Sequence, residues 1–138
     1  MPAIRWPSCS IAAAMQLIAR EFNLSETVFV APPAEASDRA ALRIFTPGRE
    51  LPFAGHPTVG TAVLLALRDA AEGRGCDLLV LEETIGRISC AVSVADSRAG
   101  HAVFTLPRLP EDIAVPSSNA ALAAALGLDE SEIGFEAH

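Results

Sequence analysis

Residues 51–65 read LPFAGHPTVGTAVLL, and this stretch decides how the chain is expected to fold. The tripeptide Gly55-His56-Pro57 leads directly into small and apolar residues. Proline is favoured at the first helical position because its missing N–H is not needed there. We therefore predict a helix from Pro57 to about Ala71, ended by the glycines of EGRG at 72–75. Its side chains are apolar on nearly all sides, which predicts a helix that is buried all round.

Two further helices flank this central one in the sequence. SCSIAAAMQLIAREFNL at 8–24 has apolar residues near helical spacing, with Ser8 or Ser10 as a possible N-cap. SSNAALAAALGL at 117–128 has Ser117 or Ser118 as its N-cap and Gly127 as its stop. Both are expected to be ordinary helices with one apolar face.

Short apolar or alternating stretches that end at proline or glycine predict about five strands. These strands are ETVFVAP at 26–32, ALRIFTP at 41–47, CDLLVLEET at 76–84, GRISCAVSVA at 86–95 and HAVFTLP at 101–107. The segment GRELPFAGH at 48–56 is rich in glycine and proline and is expected to be irregular. A sheet curled around the central helix would bury that helix, so we predict an α+β fold. Residues 1–138 show no internal repeat and no linker, which predicts one domain.

Composition excludes several classes of function. The chain has 138 residues, 51% of them hydrophobic, and a formal net charge of −7. An acidic surface repels phosphate, so no nucleic-acid partner is expected, and the absence of basic runs and long apolar runs argues against a membrane partner. The cysteines Cys9, Cys76 and Cys90 show neither a disulfide framework nor a metal-binding spacing, which favours the cytoplasm. Cys76 and Cys90 are expected to pack in the core.

His56 is the first candidate functional residue. With the helix starting at Pro57, the N–H groups of Thr58, Val59 and Gly60 would be free to bind an anion. Gly60 would let a ligand approach the backbone closely. The stretch is therefore typical of a carboxylate or phosphate site with an imidazole beside it. The alternative is that His56 only caps the helix.

Glu26 is the second candidate, because NLSETVF at 23–29 places a carboxylate among apolar residues. Such surroundings raise proton affinity and suit a general acid or base. The alternative is a solvated turn glutamate.

Three other charged residues lie before His56. Glu50 could orient the imidazole or be exposed, and we favour exposure. Arg43 and Arg49 could steer an anion but are expected to be surface charges. His56, Glu26 and Glu50 could form a metal site, but their spacing does not require one, so no metal is expected.

Taken together, MQLIAREFNLSETVFV, RIFTP and LPFAGHPTVGTAVLL resemble, in order and separation, the N-terminal half of the PhzF-like phenazine-biosynthesis proteins of the diaminopimelate-epimerase superfamily. The similarity continues more weakly to about residue 134. It implies a domain with a curved, mostly antiparallel sheet wrapped around a central helix. It also implies a cofactor-independent isomerase in which Glu26 moves a proton between carbons of a small carboxylic acid.

The resemblance further implies which residues contact the substrate. His56 would lie in the same cleft as Glu26. Residues at the two motifs would bind the substrate; these are Ser25, Thr27, Gly55, Thr58, Val59 and Gly60.

Family members also begin with a strand and carry a second, similar domain, and neither is recognised in this sequence. MPAIRWPSCS at 1–10 does not match the family's first segment. We therefore expect a homodimer, in which a second copy supplies the opposite wall of the cleft. The alternative function is an inactive half-domain that binds a small acid or a protein.

Overall fold

The computed structural model describes residues 10–106, 108–109, 111 and 118–133. They form two compact units, one that ends at Arg108 and one that begins at Leu109. The helices among them are α1 (Ser10–Phe22), α2 (Gly55–Ala71) and α3 (Asn119–Leu126), with a short 3-10 helix at Glu130–Glu132. The strands are β1 (Thr27–Ala31), β2 (Ala40–Phe45), β3 (Glu50–Leu51), β4 (Leu78–Glu83), β5 (Gly86–Val94) and β6 (Gly100–Thr105).

The larger unit is built on one sheet with the strand order β1-β2-β4-β5-β6, and β3 also pairs with β2. Every pair is antiparallel except β2 with β4, which runs parallel through Ala40–Leu81 and Ala41–Glu82. The predicted α+β class with a mostly antiparallel sheet is therefore confirmed. Because β1 occupies one edge of β2, β4 and β3 share the other edge, and Leu42 and Arg43 lie between their pairing regions.

Helix α2 packs on one face of this sheet and makes the main core with it. The buried residues of that core are Ala40, Leu42, Ala62, Leu65, Ala66, Leu79, Leu81, Ile88, Cys90, Val92 and Ala102. The opposite stripe of the helix, at Gly60, Leu64 and Arg68, is exposed, and Leu64 is 55% exposed. The prediction that this helix is buried all round is therefore wrong, because the sheet covers only one side of it in the described residues.

Helix α1 packs on the other face of the sheet. Met15 and Ala19 bury themselves against Phe45, with Phe29 beside them. Alternation along β2 explains the division, since Leu42 points to the α2 core and Phe45 points to α1.

The element boundaries follow the sequence with local differences. The two-residue strand β3 was not predicted. Cys90 is buried in β5 as expected, whereas Cys76 is exposed and precedes β4, so its predicted place in the core is wrong. Cys9 lies outside the described residues. No helix among the described residues is long and apolar enough to cross a bilayer.

The smaller unit contains α3 and the 3-10 helix. The Ser118 hydroxyl accepts a hydrogen bond from the N–H of Ala121 at 3.3 Å, which confirms one of the two predicted caps. Ser117, the other candidate, lies outside the described residues. Gly127 has φ 70° and ends the helix as predicted, because a left-handed residue is easiest for glycine.

Candidate functional site

The first turn of α2 differs from the sequence-based prediction more than any other part of the site. The helix begins at Gly55, with Ala54 as an N-cap that has no side-chain hydrogen bond. The N–H of Thr58 donates to the carbonyl of Ala54 at 3.1 Å, so the prediction that this N–H is free is wrong. Proline at residue 57 has no N–H, and Val59 and Gly60 lie further inside the helix. The N–H groups that the helix leaves without an internal partner are therefore those of Gly55 and His56.

His56 is the second residue of α2, and it is exposed. The N-cap residue is Ala54 and not His56, which lies two residues further on in the first turn. Gly60 is also exposed, and a Cβ built on it would meet no atom within 4 Å among the described residues. The imidazole and the open backbone therefore lie at an accessible end of the helix.

Glu26 lies directly before β1, at the junction with the preceding turn. It is half-buried, whereas Ser25 beside it is exposed. Thr27 pairs with Phe45 across β1 and β2, and its hydroxyl oxygen is buried with no hydrogen-bond partner in the described part of the chain. Glu26 is thus neither a fully exposed turn residue nor a core residue.

The two halves of the predicted site come from elements that touch. Strand β1 and helix α2 are in contact, and Val28 and Val59 both pack against the same core. Glu26 precedes Val28 by two residues, and His56 precedes Val59 by three. The fold therefore brings the start of β1 and the first turns of α2 to the same core.

A carboxyl group that was not among the predicted site residues also meets this helix. Oε1 of Glu83, at the end of β4, lies 2.6 Å from the hydroxyl of Thr58. Oε2 of Glu83 is buried and has no hydrogen-bond partner among the described residues. Burial raises the pKa of Glu83. Burial and the nearby Glu83 charge also raise the pKa of the Cys90 thiol to about 11.

Glu83 lines a cleft of about 380 Å³ at the break between β4 and β3 along the edge of β2. Its lining residues are Ala41, Leu42, Arg43, Glu50, Glu82, Glu83 and Thr84. Glu26 and His56 are not among them, so the cleft touches the predicted site only through the contact of Glu83 with Thr58.

The other charged residues of this cleft have partners. Arg43 donates from Nε and Nη2 to Glu50 at 2.7 and 2.6 Å, and its guanidinium lies 5.2 Å from the Phe45 ring centroid. The prediction that Glu50 is exposed, and the alternative that it orients His56, are therefore replaced by an ion pair with Arg43. Glu82 accepts from the N–H groups of Ala34 and Glu35 at 2.8 and 2.7 Å.

These contacts also bear on metal binding. Arg43 already holds Glu50, one of the three residues considered as metal ligands. No group of three or more His, Cys, Asp or Glu side chains in the described part of the chain is arranged to hold a metal ion.

One signal in the sequence could have identified Glu83. In LLVLEE, Leu79 and Leu81 are both buried core residues. Alternation along a strand then puts residue 83 on the same inward face. A carboxylate at an inward position needs a partner, and Thr58 is the inward residue of α2 that supplies it.

Comparison with known proteins relates the chain to one family. The family model described as phenazine biosynthesis-like protein matches residues 11–137. An uncharacterized isomerase of Mesorhizobium japonicum is 54% identical over 125 residues, which cover 91% of this chain and 40% of that protein. Trans-2,3-dihydro-3-hydroxyanthranilate isomerase of Pseudomonas aeruginosa is 40% identical over 126 residues, covering 90% of this chain and 42% of that protein.

Solved structures agree with the sequence comparison. A phenazine biosynthesis protein of the PhzF family from Bacillus anthracis superposes with a TM-score of 0.62 at 27% identity, covering 87% of this chain and 38% of that one. A predicted epimerase from Pseudomonas aeruginosa superposes with a TM-score of 0.63 at 27% identity, covering 92% of this chain and 44% of that one. The chain thus spans about two fifths of the length of these relatives.

Proposed function

This chain belongs to the phenazine biosynthesis-like protein family, and from that membership we propose that it forms part of a cofactor-independent isomerase. The substrate would be a small carboxylic acid. The observation that carries the proposal is the 40% identity, over 90% of this chain, to trans-2,3-dihydro-3-hydroxyanthranilate isomerase. The relative's substrate suggests a cyclic acid with an exchangeable C–H bond.

In this proposal Glu26 moves the proton between substrate carbons. Its half-buried position before β1 supports this role, because the strand that follows holds the carboxylate in place while part of it stays open to a ligand. A positioned acid or base typically accelerates a reaction by about a hundredfold to ten-thousandfold. The neighbouring Ser25, which is exposed, and Thr27 would contact the substrate.

The start of α2 would bind the substrate carboxylate. The N–H groups of Gly55 and His56 have no partner within the helix, and the positive end of the helix dipole favours an anion there. The His56 side chain is exposed on the same turn and would polarise or orient the bound acid. Thr58 and Val59 would hold this turn in place, and Gly60 would leave room for the ligand.

The opposite wall of the cleft would come from a second copy of the chain. Large apolar side chains are exposed on α1 and β1 and between them, namely Leu17, Phe22, Leu24 and Val30. Such groups favour burial at an interface. Sedimentation at micromolar concentration is expected to give a dimer, and a monomer at every concentration would contradict this part of the proposal.

Deuterium exchange at carbon tests the isomerase directly. The chain would be incubated in D2O with trans-2,3-dihydro-3-hydroxyanthranilate and a panel of small cyclic and amino carboxylic acids. We expect label to enter a C–H position with the wild type and not with Glu26→Gln. Glu21→Gln is the matched control, because Glu21 is an exposed carboxylate on α1.

The pattern of results separates the two functions considered. Exchange that depends on Glu26 but not on Glu21 supports the isomerase. A folded monomer that binds acids of the panel without exchange would support the non-catalytic binding domain instead. Equal exchange in both variants would remove Glu26 from the mechanism.

A further inference from the structure

We propose that Glu83 is held as a neutral carboxylic acid and acts as a positioning residue for the first turn of α2. We call this turn, whose Gly55 and His56 N–H groups would bind the substrate carboxylate, the anion-binding turn. The inference deepens the proposed function and rests on it for the identity of the bound anion. It starts from three oxygen atoms in a row, those of Glu83, Thr58 and Ala54.

The number of hydrogen atoms shared by these three oxygens decides which of them donates and which accepts. The Thr58 hydroxyl lies 2.8 Å from the Ala54 carbonyl oxygen and 2.6 Å from Oε1 of Glu83. A hydroxyl carries one hydrogen, and a carbonyl can only accept. If Thr58 donates to Ala54, the usual bond of a helical threonine to the carbonyl four residues earlier, then Oε1 must supply the second hydrogen. A protonated Glu83 therefore satisfies both short contacts.

The surroundings of Oε2, the second carboxyl oxygen of Glu83, also favour the neutral acid. Oε2 of Glu83 is buried, and no described residue donates a hydrogen bond to it. Burying a charged carboxylate oxygen that accepts no hydrogen bond costs much free energy. Burying the carbonyl oxygen of a neutral acid in the same position costs far less. The raised pKa of Glu83 agrees with this geometry.

Three titratable acids and one arginine among the described residues lie around Glu83. Cys90 on β5 lies near it, and the pKa of its thiol is raised to about 11. Glu50 on β3 and Glu82 on β4 line the same cleft, and both are acidic. Arg43 on β2 donates two hydrogen bonds to Glu50.

A neutral Glu83 has a clear consequence for the first turn of α2. The chain of hydrogen bonds from Glu83 through Thr58 ends on Ala54, the N-cap residue, and so fixes the orientation of the N–H groups of Gly55 and His56. A negative charge at this place would compete with a substrate carboxylate for the positive end of the helix. Protonation of Glu83 would leave that end free for the ligand.

The experiment has two independent readouts on the full chain. The first is a pH titration of glutamate side-chain carbonyl carbons by NMR, with the Glu83 signal identified by its loss in Glu83→Gln. We expect Glu83 to titrate above the exposed glutamates. Titration of Glu83 together with them would overturn the neutral acid, and this readout does not depend on any enzymatic activity.

The second readout is the affinity for benzoate, a simple carboxylate probe, as a function of pH. The wild type should bind about threefold to tenfold more weakly once Glu83 ionises, because a like charge then lies at the anion site. Glu83→Gln should keep its affinity, since an amide N–H can still donate to Thr58. His56 is present in both proteins, so its own effect cancels in the comparison. Glu82→Gln, on the adjacent residue, should retain the wild-type pH dependence.

Each remaining result has a definite meaning. Identical pH profiles for the wild type and Glu83→Gln would overturn the positioning role, even if the titration shows a neutral acid. No benzoate binding by the wild type at any pH would overturn the proposed anion site and the positioning role together. The protonation state of Glu83 is then decided by the titration alone.

Discussion

Arg39 donates two hydrogen bonds to Asp69, from Nε to Oδ2 at 2.7 Å and from Nη2 to Oδ1 at 2.9 Å. Asp69 is a buried residue near the C-terminal end of α2, and Arg39 directly precedes β2. Arg74 adds a third hydrogen bond to Oδ1 at 3.0 Å. This cluster ties the end of α2 opposite His56 to the sheet, so both ends of the helix are joined to strands by carboxyl groups.

Replacement of Asp69 by asparagine is expected to lower the free energy of unfolding by about 1–3 kcal/mol. Asparagine keeps the shape but loses the charge, and it places an amide donor against Arg39. Urea unfolding would measure the change. Glu72→Gln is the control, because Glu72 forms an exposed ion pair with Arg74 and should change stability by less than about 0.5 kcal/mol. Equal effects of the two substitutions would contradict the role of Asp69.

The stability difference between the wild type and Asp69→Asn should depend on pH. The hydrogen bonds from Arg39 hold the pKa of Asp69 below its ordinary value of 3.8, although burial opposes them. Between the lowered pKa of the folded state and the ordinary pKa of the unfolded chain, the unfolded chain binds more protons than the folded one. Stability therefore falls as the pH falls through this range. We expect the difference to be complete above about pH 3.8 and to disappear as the pH falls through the lowered pKa. Thermal unfolding across this range measures it, and a difference that is constant with pH would refute the assignment.

The sequence predicted most helices and strands because their patterns are local. In β5, Ile88, Cys90 and Val92 are buried, and the residues between them are exposed. Strand β3 could not be predicted, since Glu50 and Leu51 lie in a glycine- and proline-rich segment and pair with β2 only in the folded chain. The start of α2 was misplaced because a proline is accepted at any position of the first turn and Ala54 gives no capping signal.

The candidate site was predictable only in part. Glu26 and His56 were identified from motifs, and the fold brings their two elements to one core. The exposed stripe of α2 at Leu64 could not be predicted, because a helix that is apolar all round does not indicate which side meets the sheet. Glu83 was missed because LEET resembles the polar end of a strand, and its partner Thr58 is distant in the sequence.

Glu83→Gln should gain stability relative to the wild type as the pH rises. The unfolded chain loses the Glu83 proton near the ordinary pKa of 4.5, whereas burial raises the pKa in the folded state. Between these two values the folded protein binds more protons, so wild-type stability falls with rising pH. Glutamine does not ionise, so Glu83→Gln does not lose stability in this way as the pH rises. The difference in unfolding midpoints should therefore grow from about pH 4.5 upwards and then level off. A difference of the opposite slope, or the same slope in Glu82→Gln, would contradict the prediction.

Two glycines of the larger unit should respond to alanine in opposite ways. A Cβ on Gly100 would lie 2.9 Å from the carbonyl oxygen of Ser93 and 3.0 Å from Cγ1 of Val63, so the β5–β6 pairing must shift. We expect Gly100→Ala to lower the free energy of unfolding by about 1–3 kcal/mol. Gly60→Ala meets no atom within 4 Å and lies inside α2, where alanine is favoured by up to about 1 kcal/mol.

The same pair separates stability from ligand binding. Gly60→Ala should unfold at the same or higher urea concentration than the wild type but bind benzoate several-fold more weakly, because the methyl group narrows the approach to the anion-binding turn. Gly100→Ala should bind benzoate with unchanged affinity while it remains folded, since Gly100 lies at the start of β6 and not in that turn. If Gly60→Ala were both stabilised and unimpaired in binding, the ligand would not approach over Gly60. The proposed contact would then be confined to the N–H groups of Gly55 and His56.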